Sequence, residues 1–167
     1  PLPPESVHQG AALEVKPLKW GNLTDLALSG PGRPLLVALD RVTDPHNVGA
    51  ILRSAAAFGA AGVVMTRRHS PPLNGVLAKS ASGALELIPV ALVANLSRAL
   101  EELKAVGFRI VGLDGDAGTR IEDLDWSAPT ALVMGAEGKG LRELTGKTCD
   151  QLARITTDGP LASLNVS

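Results

Sequence analysis

Uninterrupted apolar runs, separated by helix-length amphipathic segments, constrain this chain most. Leu35-Leu-Val-Ala-Leu39 is the clearest of them. A strand with one wet face alternates apolar and polar side chains. A run without alternation belongs to a strand buried on both faces, as in a parallel sheet. Further strands are predicted at Gly62–Met65, Leu85–Val90, Phe108–Leu113, Ala131–Met134 and near Leu152–Thr156. Helices are predicted at Asn47–Phe58, Leu73–Ser82 and Ser97–Val106, with a short one near Leu141–Thr145. The first of these carries Val48, Ile51, Leu52, Ala55 and Phe58 on one face. Strands alternating with helices define an α/β fold with a mostly parallel sheet flanked by helices. Ahead of it, Pro1–Gly10 reads as an extended linker, because its clustered prolines forbid a helix. A short strand at Gln9–Val15 and a short helix at Asn22–Leu28 complete the leading elements, residues 1–30. Residues 31–167 then form the main domain.

With 167 residues there is enough chain for one real core. Aromatics are 2% of the chain and tyrosine is absent, which argues against a site that stacks bases on aromatic rings. The formal charge of −1 argues against a stand-alone nucleic-acid binder. It is compatible with an enzyme whose affinity comes from another domain or subunit. A single cysteine, Cys149, leaves no disulfide framework. It reads as a small side chain near a helix end rather than a nucleophile. His8, His46 and His69 lack metal-ligand spacing, so no metal is expected. No stretch reaches the roughly eighteen apolar residues of a membrane span. The start has no basic segment leading into an apolar one. These readings point to a cytoplasmic protein.

Three polar stretches carry the candidate chemistry. In the first, the run Ala131–Met134 ends at Gly135, and Gly135, Gly138 and Gly140 bracket Glu137. Glycine lets a backbone approach a ligand closely, and α/β sheets hold ligands at the carboxyl ends of their strands. It is no phosphate loop, since neither Gly-Lys-Ser/Thr nor GxGxxG is present. Glu137 could cap the next helix or hold Arg53. In the second stretch, Asn47–Arg53, Asn47 sits where a helix cap belongs. Arg53 lies among Ile51, Leu52, Ala55, Ala56 and Ala57. An arginine in such surroundings calls for a fixed partner or an anionic ligand, although a solvated arginine fits the same spacing. In the third, Ser163-Leu-Asn-Val-Ser167, Ser163 and Asn165 could cap a helix or present a hydroxyl and an amide to a ligand.

Together, in order and spacing, these stretches resemble the three motifs of the SpoU (TrmH-like) branch of the SPOUT methyltransferases. Leu39-Asp-Arg-Val-Thr-Asp-Pro-His-Asn-Val-Gly-Ala-Ile-Leu-Arg53 resembles motif 1, Val133-Met-Gly-Ala-Glu-Gly-Lys-Gly140 motif 2, and Ile155–Ser167 motif 3. Val7-His-Gln-Gly10, Thr43–Asn47 and Leu132–Gly138 look most like the bacterial type that methylates the ribose 2′-hydroxyl of a guanosine in 23S ribosomal RNA. The resemblance implies a SPOUT (α/β-knot) fold with a C-terminal trefoil knot whose last helix is absent from this chain. It also implies bound S-adenosylmethionine and a homodimer with its sites at the interface. Its catalytic arginine matches Arg53; Asn47, Glu137, Ser163 and Asn165 match the other polar site positions. Its cofactor contacts match Gly135, Ile155 and Leu164, with Leu113, Asp114 and Gly115 close by. The small N-terminal RNA-binding domain usual in that type is not part of this sequence. Transfer RNA as substrate, and a non-catalytic RNA-binding module on the same fold, are the rival readings. A Rossmann-type nucleotide enzyme is disfavoured by the missing GxGxxG.

Overall fold

The computed structural model describes residues 10, 18, 20–28, 32–72, 75–157 and 166. The expected linker at Pro1–Gly10 and strand at Gln9–Val15 lie, but for Gly10, outside the described residues. Seven parallel strands form a single sheet in the order β3-β2-β1-β6-β4-β7-β5. They are β1 (Leu35–Asp40), β2 (Gly62–Thr66), β3 (Val90–Val93), β4 (Arg109–Leu113), β5 (Thr119–Arg120), β6 (Thr130–Gly135) and β7 (Gln151–Arg154). The helices are α1 (Leu23–Leu28), α2 (Pro45–Ala57), α3 (Gly75–Ala81), α4 (Ala84–Leu87), α5 (Leu96–Ala105) and α6 (Glu143–Thr148), with a 3₁₀ turn at Ile121–Asp123.

Both faces of the sheet are covered, which is why β1 is apolar throughout its buried length. Its side chains alternate between two clusters. Val37 and Leu39 pack with Val48, Ile51 and Leu52 of α2 and Leu77 of α3. Leu36 and Ala38 pack with Leu96, Leu100 and Leu103 of α5. Glycine permits the closest packing between helices: a Cβ on Gly49 would stand 2.6 Å from Ser80 Cβ. The glycine of the Asn47–Arg53 stretch therefore seats α2 against α3.

Three sequence expectations shift. Helix α2 begins at Pro45, not Asn47, because Asp44 is its cap and its carboxylate accepts from His46 N at 2.8 Å. The strand expected at Leu85–Val90 is the helix α4 followed by β3. Leu85 and Ile88 are buried while Glu86 and Leu87 are exposed, a helical spacing, and the strand starts only after Pro89. Within the loop expected at Asp114–Thr119 the chain turns and then adds β5 as an edge strand.

The order of strands positions the site. From β1 the chain runs outward to β3, then returns beyond β6 to build β4, β5 and β7. Strand β6 pairs with β1 on one side and β4 on the other, Gly135 lying opposite Asp40. The carboxyl ends of β1, β6, β4 and β7 thus share one rim at the place where the chain reverses direction across the sheet, the location favoured for ligands. Val166 packs against the cluster that includes Met134 and α2. Residues 158–165 lie outside the described residues, and the described ones do not show the trefoil knot implied by the resemblance.

Candidate active site

A cleft of about 440 Å³ opens on this rim, between the β1–α2 connection, the turn after β2 and the loop after β6. It is lined by Asp40–Asp44, Asn47, His69, Ala136, Glu137 and Lys139–Arg142. Two side-chain links across distant sequence hold it together.

The first link joins Asn47 to Glu137. Asn47 sits in the first turn of α2, 8% exposed, and its Nδ2 donates to Glu137 Oε2 at 3.1 Å. The cap that starts α2 belongs to Asp44, so the Asn47 amide can reach the glycine loop. Glu137, expected to cap the next helix or to hold Arg53, instead accepts from Asn47. Arg53 is exposed on α2, outside the lining of the cleft, and makes no hydrogen bond or ion pair among the described residues.

Sequence reasoning missed the second link. Asp40, whose side chain is fully buried, accepts from Arg142 Nε at 2.7 Å and from Arg142 N at 2.9 Å. A carboxylate cannot stay buried without such partners. The pair ties the end of β1 to the start of α6. A signal was present: Asp40 is the one charged residue in the strand Leu35–Asp40. Its partner stands 102 positions away, beyond any local pattern.

The glycine loop explains itself. Ala136 and Gly140 exchange backbone hydrogen bonds, Gly140 N to Ala136 O at 2.8 Å and Ala136 N to Gly140 O at 3.1 Å. Gly138 and Gly140 take φ of 71° and 62°, the left-handed region that glycine enters without strain. A Cβ on Gly135 would strike the Gly140 carbonyl and stand 2.5 Å from Leu141 N. Gly135 is therefore required by the loop's own backbone, before any ligand is considered.

The candidate cofactor residues fall on the next strands along the rim. Leu113 ends β4, Asp114 and Gly115 follow it, and Ile155 follows β7. Asp114 N donates to Ala153 O at 3.0 Å, joining the two strand ends. The Asp114 carboxylate accepts from Asp116 N at 3.0 Å, and Arg154 Nη1 donates to the carbonyls of Ala117 and Gly118. Leu113 is half-buried and Ile155 is 47% exposed. A Cβ on Gly115 would meet nothing within 4 Å. Apolar surface, an anchored carboxylate and open space beside the backbone fit a nucleoside-bearing cofactor. Ser163, Leu164 and Asn165 lie outside the described residues.

Cys149 is no nucleophile. Burial pushes its thiol up to about 11, and Sγ donates to Thr145 O at 3.3 Å. Among the described residues no group of three His, Cys, Asp or Glu side chains could hold a metal ion, and no helix is long and apolar enough to cross a membrane.

Fold, rim and loop define a class, and comparison with known proteins agrees. Residues 34–167 match the SpoU rRNA Methylase family, so this chain belongs to that family. It is 49% identical over 166 residues to the 23S rRNA (guanosine-2'-O-)-methyltransferase RlmB of Pseudomonas aeruginosa, covering 98% of this chain and 67% of that protein. To the RlmB of Pseudomonas syringae pv. tomato it is 46% identical, covering 98% of this chain and 66% of the relative. The chain thus spans about two thirds of the length of these relatives. Among solved structures, the AdoMet-bound rRNA methyltransferase from Sinorhizobium meliloti aligns with a TM-score of 0.77 and 31% identity, covering 89% of this chain and 56% of that one.

Proposed function

We propose that this chain is the catalytic domain, residues 31–167, of an S-adenosylmethionine-dependent RNA 2′-O-ribose methyltransferase acting on a guanosine of 23S ribosomal RNA. The observation that carries the reading is the meeting, on one rim, of the Asn47–Glu137 link and the ends of β6, β4 and β7. The RlmB relatives are nearly half identical over almost the whole chain, that rim included. Leu113–Gly115, Gly135, Ile155 and Leu164 would hold the cofactor, which when bound supplies an electrophilic methyl group on a sulfonium. The protein's main task is then alignment.

Asn47 and Glu137 form the polar wall nearest the cofactor rim and, with Ser163 and Asn165, orient the ribose. The ribose hydroxyl must lose its proton as it reacts, to water or to a phosphate oxygen of the RNA. Arg53 is a poor base, since guanidinium stays protonated. Its role is to stabilise the developing alkoxide and grip the adjacent phosphate. Its exposure on the single chain is consistent with a homodimer in which it completes a site together with the partner subunit. A cytoplasmic location follows from such a substrate.

The test is methyl transfer from labelled S-adenosylmethionine to 23S ribosomal RNA by the intact protein, with the product mapped. Label on the 2′-oxygen of one guanosine is expected. Arg53→Lys, which keeps the charge and loses the planar fork, should lose most of the turnover at nearly unchanged cofactor affinity. Label on transfer RNA would move the substrate. Cofactor binding without transfer to any RNA would overturn the catalytic reading.

A further inference from the structure

The cleft carries cations that nothing in the fold consumes. Its acidic groups are all engaged: Asp40 by Arg142, Asp44 by the His46 amide that it caps, and Glu137 by Asn47. Of its basic side chains, Arg142 is spent on Asp40. Arg41, His69 and Lys139 also line it, all three exposed, and their side chains make no hydrogen bond or ion pair among the described residues. Asp40 is thus neutralised by a cation, Asp44 and Glu137 are held by neutral amides and keep their charge, and the side-chain donors of Arg41, His69 and Lys139 have no partner among the described residues.

A second observation picks out two of the three. Among the described residues, the non-glycine residues with positive φ are Arg41 (59°), His69 (65°) and Ser82 (47°). Ser82 follows the end of α3, where such a conformation is ordinary. Arg41 and His69 both face the cleft, from different loops. A left-handed backbone at residues with a Cβ is held only where the surroundings over-determine it. Here they do. Arg41 lies between Asp40, pinned to Arg142, and Val42, which is 2% exposed. The turn holding His69 is tied by the Thr66 hydroxyl, which donates to the Arg68 carbonyl and lies 3.4 Å from Ser70 Oγ. Buried anchors on each loop thus turn one cationic or hydrogen-bonding side chain outward into the same space.

We infer that Arg41, His69 and Lys139 form a phosphodiester-binding subsite that holds the RNA backbone in the cleft, next to the Asn47–Glu137 link. The inference rests on the reading of the chain as an RNA methyltransferase and assigns the cleft its part in it. Arg41 supplies a planar fork matched to phosphate oxygens. His69 and Lys139 supply donors from the loops on either side. The ligand is the charged sugar–phosphate chain rather than a base, because the cleft is lined by no Phe, Tyr or Trp.

The test measures binding of a short single-stranded oligoribonucleotide to the intact protein as a function of salt. Arg41→Gly removes one side chain, His69→Asn shortens the other, and both residues suit positive φ, so the fold is preserved. Arg41→Gly should flatten the slope of log affinity against log salt by roughly 0.7, whereas His69→Asn, which alters a hydrogen-bonding group and not the formal charge, should weaken binding at an unchanged slope. An oligonucleotide with uncharged methylphosphonate linkages should bind parent and variants alike. Calorimetry with S-adenosylmethionine should give parent affinity in both variants. An unchanged salt slope in Arg41→Gly, unchanged affinity in His69→Asn, or equal weakening toward the uncharged oligonucleotide, would overturn the subsite. If the parent binds RNA with the expected slope yet transfers no methyl group, the catalytic reading fails while the subsite stands.

Discussion

The two flanks of β6 are built differently. On the β1 side, polar side chains far apart in sequence are locked together: Asn47 to Glu137 and Asp40 to Arg142. On the β4–β7 side each bond along the rim involves the backbone: Asp114 N to Ala153 O, Asp116 N to the Asp114 carboxylate, and Arg154 Nη1 to the carbonyls of Ala117 and Gly118. Two glycines proposed for the cofactor show the difference. Gly135 is hemmed in by the loop's own backbone, and Gly115 has open space where a Cβ would go. The β1 flank is thus a pre-formed cleft whose geometry depends on side chains. The β4–β7 flank is a rim of backbone and half-exposed apolar surface that a ligand can cover. Substitutions in the first test architecture, and substitutions in the second test binding.

The largest effect is expected at Gly135. Gly135→Val forces the loop backbone aside, at about 3 kcal/mol or more. Urea unfolding should show that loss together with loss of S-adenosylmethionine binding. A variant that keeps parent stability would mean that the loop yields more easily than its packing indicates. Next comes Asp40→Ala, which removes both bonds to Arg142. Because Arg142 is 40% exposed, its freed charge is partly hydrated, and the cost is about 2 kcal/mol. The α6 amides should exchange faster in this variant. The smallest effect on stability is expected at Gly115. Gly115→Ala should stay within about 0.5 kcal/mol of the parent, and weaken S-adenosylmethionine binding by crowding the rim. Intact affinity would remove Gly115 from the cofactor site.

The contrast also marks what the sequence discloses. The rim on β4, β6 and β7 was legible, because apolar runs ending in glycine or acidic loops announce strand ends. The cleft was only partly so. Asn47 and Glu137 are visible as candidate polar residues, yet their pairing is not, since 90 intervening positions leave no local signal of which side chains meet. That the loop itself requires Gly135 is hidden for the same reason: the obstructing atoms belong to residues that fold back only in three dimensions. Leu85–Val90 failed as a strand because a short apolar run before a proline suits a helical turn equally well. The left-handed backbone at Arg41 and His69 had no usable sequence signal, since arginine rarely adopts it and histidine only somewhat more often.

The division of the rim is tested most directly by amide hydrogen exchange on the intact protein with S-adenosylmethionine and RNA added separately. The account predicts that the cofactor protects Leu113–Gly115, Gly135 and Ile155 and leaves Thr43–Asn47 unchanged. RNA should protect the amides around Arg41, His69 and Lys139. Cofactor protection confined to the β1–α2 connection, with the ends of β4 and β7 unaffected, would contradict it.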